Sequence, residues 1–251
     1  MKTAGIIPAR YASTRFPGKS LAVIGEKTMI QRVYEQASKA VKLHKVVVAT
    51  DDSAIFNHVK SFGGEVVMTS PEHLNGTLRV NEAASLLDDN FDVIINIQGD
   101  EPFIEPQIID EIAAAFESGN TDIATMAKKI DDDSDIFNEN VVKVVFDKNG
   151  KANYFSRAAI PFLRNVEKQK WIKSFDFYKH IGIYGYRREV LDKIVTLEPS
   201  GYELAESLEQ LRWLDAGYYI KVLKTSYDSV GIDTYDDLRR ALQYIETQKD
   251  G

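Results

Sequence analysis

Residues 5–19, GIIPARYASTRFPGK, place three fixed cations, Arg10, Arg15 and Lys19, in one loop that also carries Ser13 and Thr14. The loop follows a short apolar run, Gly5-Ile6-Ile7, that reads as a buried strand. Cations and loop amides suit the oxygens of a phosphate chain. In open α/β sheets, ligands bind beyond the carboxyl ends of the strands. The loop is not a Walker A motif. Gly18-Lys19-Ser20 gives the right ending, but Ser13 stands where that motif needs its first glycine. The dinucleotide fingerprint G-x-G-x-x-G is missing as well.

Two carboxylates match a polyanion site. Asp100 follows the most continuous apolar run, residues 91–97, within Gln98-Gly99-Asp100-Glu101-Pro102. It reads either as a turn cap or as a ligand for Mg²⁺, which takes one or two carboxylates together with phosphate oxygens. Asp233 closes Ser229-Val-Gly-Ile-Asp233 just before a helix start. There the local attraction of a carboxylate to a helix N-terminus is the stronger explanation. The run Asp131-Asp132-Asp133 reads as a solvated loop rather than a metal motif.

A second group has no phosphate character. In residues 178–186, YKHIGIYGY, a period of two puts His180, Gly182, Tyr184 and Tyr186 on one face and Ile181 and Ile183 on the other. That face is either a polar wall for a hydroxyl-rich ligand or a half-exposed sheet surface. Arg157, after the apolar residues Tyr154 and Phe155, suits a bidentate carboxylate or an internal ion pair. Glu209 and Gln210 lie among apolar helix positions, at a pocket or on the polar edge of the helix. Asn75-Gly76-Thr77-Leu78-Arg79 reads as a tight loop, whose amides suit a base edge or a plain surface turn.

Alternating strand-like and helix-like segments must position these groups, which predicts an α/β fold with a mostly parallel sheet. Thr28 opens a helix with a capping box to Gln31, and its apolar stripe is Ile30, Val33, Tyr34 and Ala37. Strands are expected over 45–49, 65–68 and 91–97, and a helix from Pro106. After a polar stretch at 131–140, strands follow at 141–147, 152–155 and 178–186. Residues 163–177 look like a charged excursion, and 204–214 like one amphipathic helix. A strand at 219–223 and a helix capped by Thr234 complete the chain. The first domain takes 1–127 and 216–251, and a subdomain takes 128–215.

The chain has 251 residues, 44% of them hydrophobic, enough for a sizeable core. No apolar run reaches the roughly 20 residues that span a bilayer, and no signal-peptide pattern is present. With no cysteine, disulfides and thiolate metal sites are excluded, and a cytoplasmic location is the expectation. A net charge of −7 argues against a broad nucleic-acid-binding face.

The ordered segments IIPARYASTRFPGK, VATDD, GT-x-R, INIQGDEP, YFSR-x-x-IP, YKHIGIYGY, SLEQLR and GIDTYDDL resemble the bacterial 3-deoxy-manno-octulosonate (Kdo) cytidylyltransferases. The resemblance runs from about residue 3 to about residue 245. It implies a nucleotide-diphospho-sugar transferase-like sheet with flanking helices and a smaller α/β subdomain. It further implies CTP and a 2-keto-3-deoxy sugar acid as substrates, Mg²⁺ as cofactor, a homodimer, and CMP-Kdo and pyrophosphate as products for lipopolysaccharide biosynthesis. In that light Arg10 and Lys19 hold the triphosphate, and Pro8, Ala9, Gly76, Thr77, Arg79 and Gln98 contact the nucleotide. Asp100 and Asp233 hold metal. Arg157, His180, Tyr184, Glu209 and Gln210 line a sugar pocket that doubles as part of a dimerising subdomain. The family usually has an acidic residue between the Thr and Arg of GT-x-R, where this chain has Leu78, and Pro where it has Ser20. Two alternatives are a cytidylyltransferase for 8-amino-Kdo or a sialic-acid-like acid, and a non-catalytic nucleotide sensor.

Overall fold

The computed structural model of the chain describes residues 1–12, 16–228 and 231–249. Ser13, Thr14 and Arg15 of the first loop lie outside the described residues. Two compact units result, one of residues 1–113 and 229–251, the other of residues 114–228. The sequence placed these divisions near 127 and 216. They move because the strands at 123–129 and 220–225 pair with each other, so both belong to the second unit.

In the first unit the apolar runs become a parallel sheet. β1 (Thr3–Ala9) is central, a small ribbon is formed by β2 (Val23–Ile24) and β3 (Lys27–Thr28), and β4 (Lys45–Thr50), β5 (Val66–Met68) and β6 (Val93–Asn96) follow. β1 pairs in parallel with β4, from Ala4↔Lys45 to Ala9↔Thr50, and with β6, from Thr3↔Val93 to Ile6↔Asn96; β5 lies beyond β4. Both faces are covered, which is why the strands read as unbroken apolar runs; Ile6, Val48, Ile94 and Ile95 are fully buried. Parallel strands end on one side, so the loops after Ala9, Thr50 and Asn96 meet there.

Helices α1 (Met29–Ala37), α2 (Ser53–Ser61), α3 (Gly76–Ser85) and α4 (Pro106–Ala114) connect these strands. Thr28, Asp52 and Asn75 cap the first three, each accepting backbone N–H groups of the first turn. The segment read as a tight loop at 75–79 is therefore the start of α3. Asn75 Oδ1 accepts from Leu78 N at 2.9 Å, which turns a loop signal into a helix cap.

The second unit contains β7 (Ile123–Lys129), α5 (Asp133–Phe137), β8 (Lys143–Phe146), β9 (Ala152–Ser156), α6 (Trp171–Ser174) and β10 (Tyr178–Arg187). It is completed by α7 (Arg188–Ile194), α8 (Gly201–Glu206), α9 (Gln210–Asp215) and β11 (Ile220–Thr225). β7 runs antiparallel to β10 and parallel to β11, and β8 and β9 form an antiparallel pair. The fold class is therefore α/β, with mostly parallel pairing and flanking helices.

Two local expectations are corrected. The polar stretch at 131–140 contains α5, because Asp132 accepts from Ser134 N and caps it. The single helix expected at 204–214 is two helices. Ser207 adopts the left-handed conformation, φ 52°, and Arg157 Nε takes the carbonyl of Glu206 at 2.7 Å. A tertiary donor has replaced the intrahelical one at the end of α8. The charged excursion at 163–177 is anchored by Trp171 and Phe177, which pack with Ile130 and Ile136. The chain then returns to the first unit with α10 (Tyr235–Lys249), where Leu238, Ala241, Leu242 and Ile245 pack with Phe16, Ile24 and Met29. Among the described residues no helix is long and apolar enough to cross a membrane.

Candidate functional site

A cleft of about 260 Å³ opens at the carboxyl end of β1 in the first unit. Pro8 and Ala9, the last residues of the strand, line it together with Arg10, which is exposed. Gly99 lets the 98–100 loop lie across the end of β1: a Cβ there would come within 2.7 Å of the Pro8 carbonyl. This close approach brings Gln98 and Asp100 to the cleft. Gly18, at φ 71°, turns the chain into a single 3₁₀ turn that begins at Lys19.

Lys19 Nζ donates to Asp100 Oδ2 at 2.6 Å and to Asp233 Oδ1 at 2.8 Å. Burial alone would lower the lysine pKa, but the two carboxylates outweigh it and hold the amine above its ordinary value. Thr234 caps the helix that follows. Asp237 Oδ2 accepts from Asp233 N, Thr234 N and Thr234 Oγ1, while Asp237 N donates to Thr234 Oγ1. This reciprocal cap leaves the Asp233 carboxylate turned to Lys19. Ile232 N donates to the Asp100 carbonyl at 2.9 Å, which fixes the two acidic segments to each other.

Two carboxylates that share one cation fit a divalent ion, and the ammonium of Lys19 occupies the kind of position such an ion takes. Among the described residues no group of three or more acidic, His or Cys side chains converges. An ion held by Asp100 and Asp233 would fill its remaining coordination with phosphate oxygens and water, as Mg²⁺ does. Lys19→Met should therefore cost the metal-free protein on the order of 1 kcal/mol, since the pair loses its counter-charge while remaining partly solvated. Added Mg²⁺ should restore that stability. Urea melts with and without Mg²⁺ check this, and an unchanged metal-free midpoint would refute it.

The nucleotide-side residues divide into two sets. Gly76 and Arg79 line the cleft, while Thr77 is buried behind it. Arg79 is 3% exposed. Its Nη1 donates to Thr69 Oγ1 at 2.6 Å, and its Nη2 lies 3.1 Å from Asp51 Oδ2. The guanidinium thus braces α3 against the loops after β4 and β5, and the VATDD motif gains a structural reason. Sequence reasoning missed His73, which lines the cleft together with Ser20 and Asn75. His73 pairs with Glu82, which also accepts Ser70 N.

The five remaining candidates are all in the second unit. His180 and Tyr184 lie along β10 with ring centroids 5.3 Å apart, and Phe155 meets His180 edge-on at 5.1 Å. Burial pushes the His180 imidazole down to about 3 and the Tyr184 phenol well up. Neither is poised to trade a proton near neutral pH. Gln210 and Trp213, one helical turn apart on α9, are buried, and Trp213 packs edge-on against Tyr184 at 5.1 Å. Tyr184 Oη, Gln210 Nε2 and Trp213 Nε1 are buried without hydrogen-bond partners among the described residues. Unsatisfied buried donors cost free energy and call for an explanation, a bound ligand among them. Trp213 was not singled out from sequence, although its spacing from Gln210 was the available signal. Glu209 precedes α9 and is half-buried. Arg157 gives Nε to Glu206 O, Nη1 to Glu139 O at 3.1 Å and Nη2 to Ser207 O at 3.4 Å. Its guanidinium donors therefore reach carbonyls, while its backbone N donates to Glu206 Oε2 at 2.9 Å.

The cleft, the carboxylate pair and the β10 face occur in a chain that matches the family model described as Cytidylyltransferase over residues 4–224. A 3-deoxy-manno-octulosonate cytidylyltransferase of Parabacteroides distasonis is 55% identical over 249 residues, 98% of each chain. One from Bacteroides thetaiotaomicron is 52% identical over 251 residues, covering 99% of this chain and all of the other. This chain belongs to the 3-deoxy-manno-octulosonate cytidylyltransferase family. A solved CMP:2-keto-3-deoxy-manno-octonic acid synthetase complexed with CTP, 37% identical, superposes with a TM-score of 0.92 over 99% of this chain and 100% of that one. The departure from the family pattern at Leu78 lies in the first turn of α3. That turn carries no acidic side chain, and the uncharged Asn75 amide caps it through Oδ1.

Proposed function

We propose that this family member transfers the cytidylyl group of CTP to the 2-hydroxyl of Kdo and releases pyrophosphate. One observation carries the reading beyond family membership: Asp100 and Asp233 converge on the Lys19 ammonium in a cleft that Arg10 also lines, at the carboxyl end of a parallel sheet. CTP brings about four negative charges and the sugar a fifth, and that repulsion grows where water is excluded. Arg10 and Lys19 bind the triphosphate and offset part of it. Asp100 and Asp233 would hold Mg²⁺, which when bound would lower the pKa of the attacking hydroxyl and offset charge on the departing pyrophosphate. The 2-hydroxyl gives its proton to solvent as its oxygen bonds to the α-phosphorus, and the bond from that phosphorus to the bridging oxygen breaks, its electron pair leaving with pyrophosphate. His180, held neutral by burial, positions the sugar and takes no proton.

The sugar is read by His180, Tyr184, Glu209 and Gln210, with Arg157 ordering the break between α8 and α9 that presents the last two. Arg157→Ala should accordingly raise the KM for the sugar about tenfold and leave that for CTP nearly unmoved. Equal effects on both would exclude a sugar-side role. The protein works as a cytoplasmic homodimer through the second unit. The deciding assay is Mg²⁺-dependent pyrophosphate release from CTP with Kdo, 8-amino-Kdo and a sialic acid in parallel. Turnover with Kdo far above the others supports the proposal. Preference for another acid replaces the substrate, and CTP binding without turnover on any of them identifies a sensor.

A further inference from the structure

Thr125, on β7, is fully buried and was not among the residues with an expected role. It lies opposite an irregularity in β10, whose register against β7 shifts between Ile181 and Tyr184. Three groups converge on its hydroxyl: the Ile183 carbonyl at 2.8 Å, the Ile181 carbonyl at 3.2 Å and His180 Nε2 at 2.9 Å. A hydroxyl has one proton to give, and carbonyl oxygens only accept. With two carbonyls on one side, the Thr125 proton must point to them. Its oxygen then faces His180 Nε2 with a lone pair, so that nitrogen has to carry a proton and donate.

The other ring nitrogen is thereby defined. A neutral imidazole that donates from Nε2 presents a lone pair at Nδ1. Nδ1 has no hydrogen-bond partner among the described residues, and His180 is only half-buried. The low imidazole pKa, about 3, is consistent with a ring that stays uncharged. Phe155 and Tyr184 pack on the ring and limit its rotation.

We infer that Thr125 is a positioning residue that fixes His180 as its Nε2–H tautomer, so that the pocket meets the sugar acid with an acceptor for a hydroxyl group rather than a donor for its carboxylate. A carboxylate is acceptor-only when ionised, and against the Nδ1 lone pair it would be repelled. A sugar hydroxyl donates there and is selected. The inference rests on the sugar-pocket reading above, and it adds a specificity element that this reading does not contain.

The test uses full-length, ¹⁵N-labelled enzyme and long-range ¹H–¹⁵N correlation spectra of its histidines, with His180→Gln to assign the signal. The expected result is a pure Nε2–H signature for His180 that does not change between about pH 6 and about pH 8. Thr125→Val, which keeps the shape and removes the acceptor, should mix the tautomers and raise the sugar KM on the order of tenfold at unchanged CTP KM. Thr125→Ser should restore both. An Nδ1–H or imidazolium signature in the wild type overturns the inference outright, even if the valine variant fails to fold. A Thr125→Val enzyme with mixed tautomers and an unmoved sugar KM also overturns it. In that case His180→Gln separates the causes. A raised sugar KM there leaves the pocket reading standing, whereas an unmoved one means that the pocket reading itself has failed.

Discussion

Asp100→Ala should lower turnover on the order of 10³-fold or more, the largest functional effect expected of any substitution in this chain. Asp100 is one of two carboxylates that converge on Lys19, and the proposed reaction depends on the metal ion those carboxylates would hold. The backbone contribution of the residue survives the change, because Ile232 N donates to the Asp100 carbonyl and not to its side chain. The loss is therefore electrostatic and not a collapse of the loop. Mn²⁺ titration should show weakened metal binding in parallel, while the urea midpoint moves little. Near-normal turnover together with ordinary Mg²⁺ affinity would remove Asp100 from the metal site.

Arg79→Leu is expected to have the largest effect on stability, a loss of about 3 kcal/mol. The guanidinium is almost wholly buried and pairs with Asp51 and Thr69. Its removal leaves the Asp51 carboxylate, 19% exposed, without its counter-charge. Breaking such a pair costs more than never having had it. Asp51→Asn introduced into the Arg79→Leu background should accordingly recover part of the loss. Urea unfolding of the two variants and of their combination gives the coupling directly. A loss below about 1 kcal/mol, the range of a surface pair, would return Arg79 to the role of a nucleotide contact with no bracing function.

Arg79 also marks where reading the sequence stopped short. The GT-x-R spacing identified the segment, but not that α3 begins there or that its arginine faces Asp51 and Thr69. Asn75 and Gly76 carry the same local signal for a turn and for a helix start, and only the burial of Val80, Ala83 and Ala84 selects the helix. Residues 204–214 fail for a related reason. Their periodicity supports a continuous helix, while Arg157, some fifty residues earlier in the chain, takes the carbonyls of Glu206 and Ser207 and ends α8. Asp233 is the converse case. Its position before α10 suggested only a local attraction to the helix N-terminus, but Thr234 caps that helix as expected, with Asp237 closing the capping box, and the Asp233 carboxylate meets Lys19.

The sequence by itself determined the class of fold, the family, the cationic loop and most strands, though not β7 or the short β2–β3 ribbon. These follow from short-range patterns: unbroken apolar runs such as Ile6-Ile7 and Val46-Val47-Val48, the caps Thr28 and Asp52, and motifs of a few consecutive residues. Only the tertiary structure decided which charges meet. Lys19 lies 81 residues from Asp100 and 214 from Asp233, and Thr125 lies 55 residues from His180. Such pairs leave no periodicity in the chain, because their geometry is set by strand register and loop approach. The tautomer of His180 and the shared cation of the two carboxylates are properties of contacts, and contacts exist only once the chain has folded.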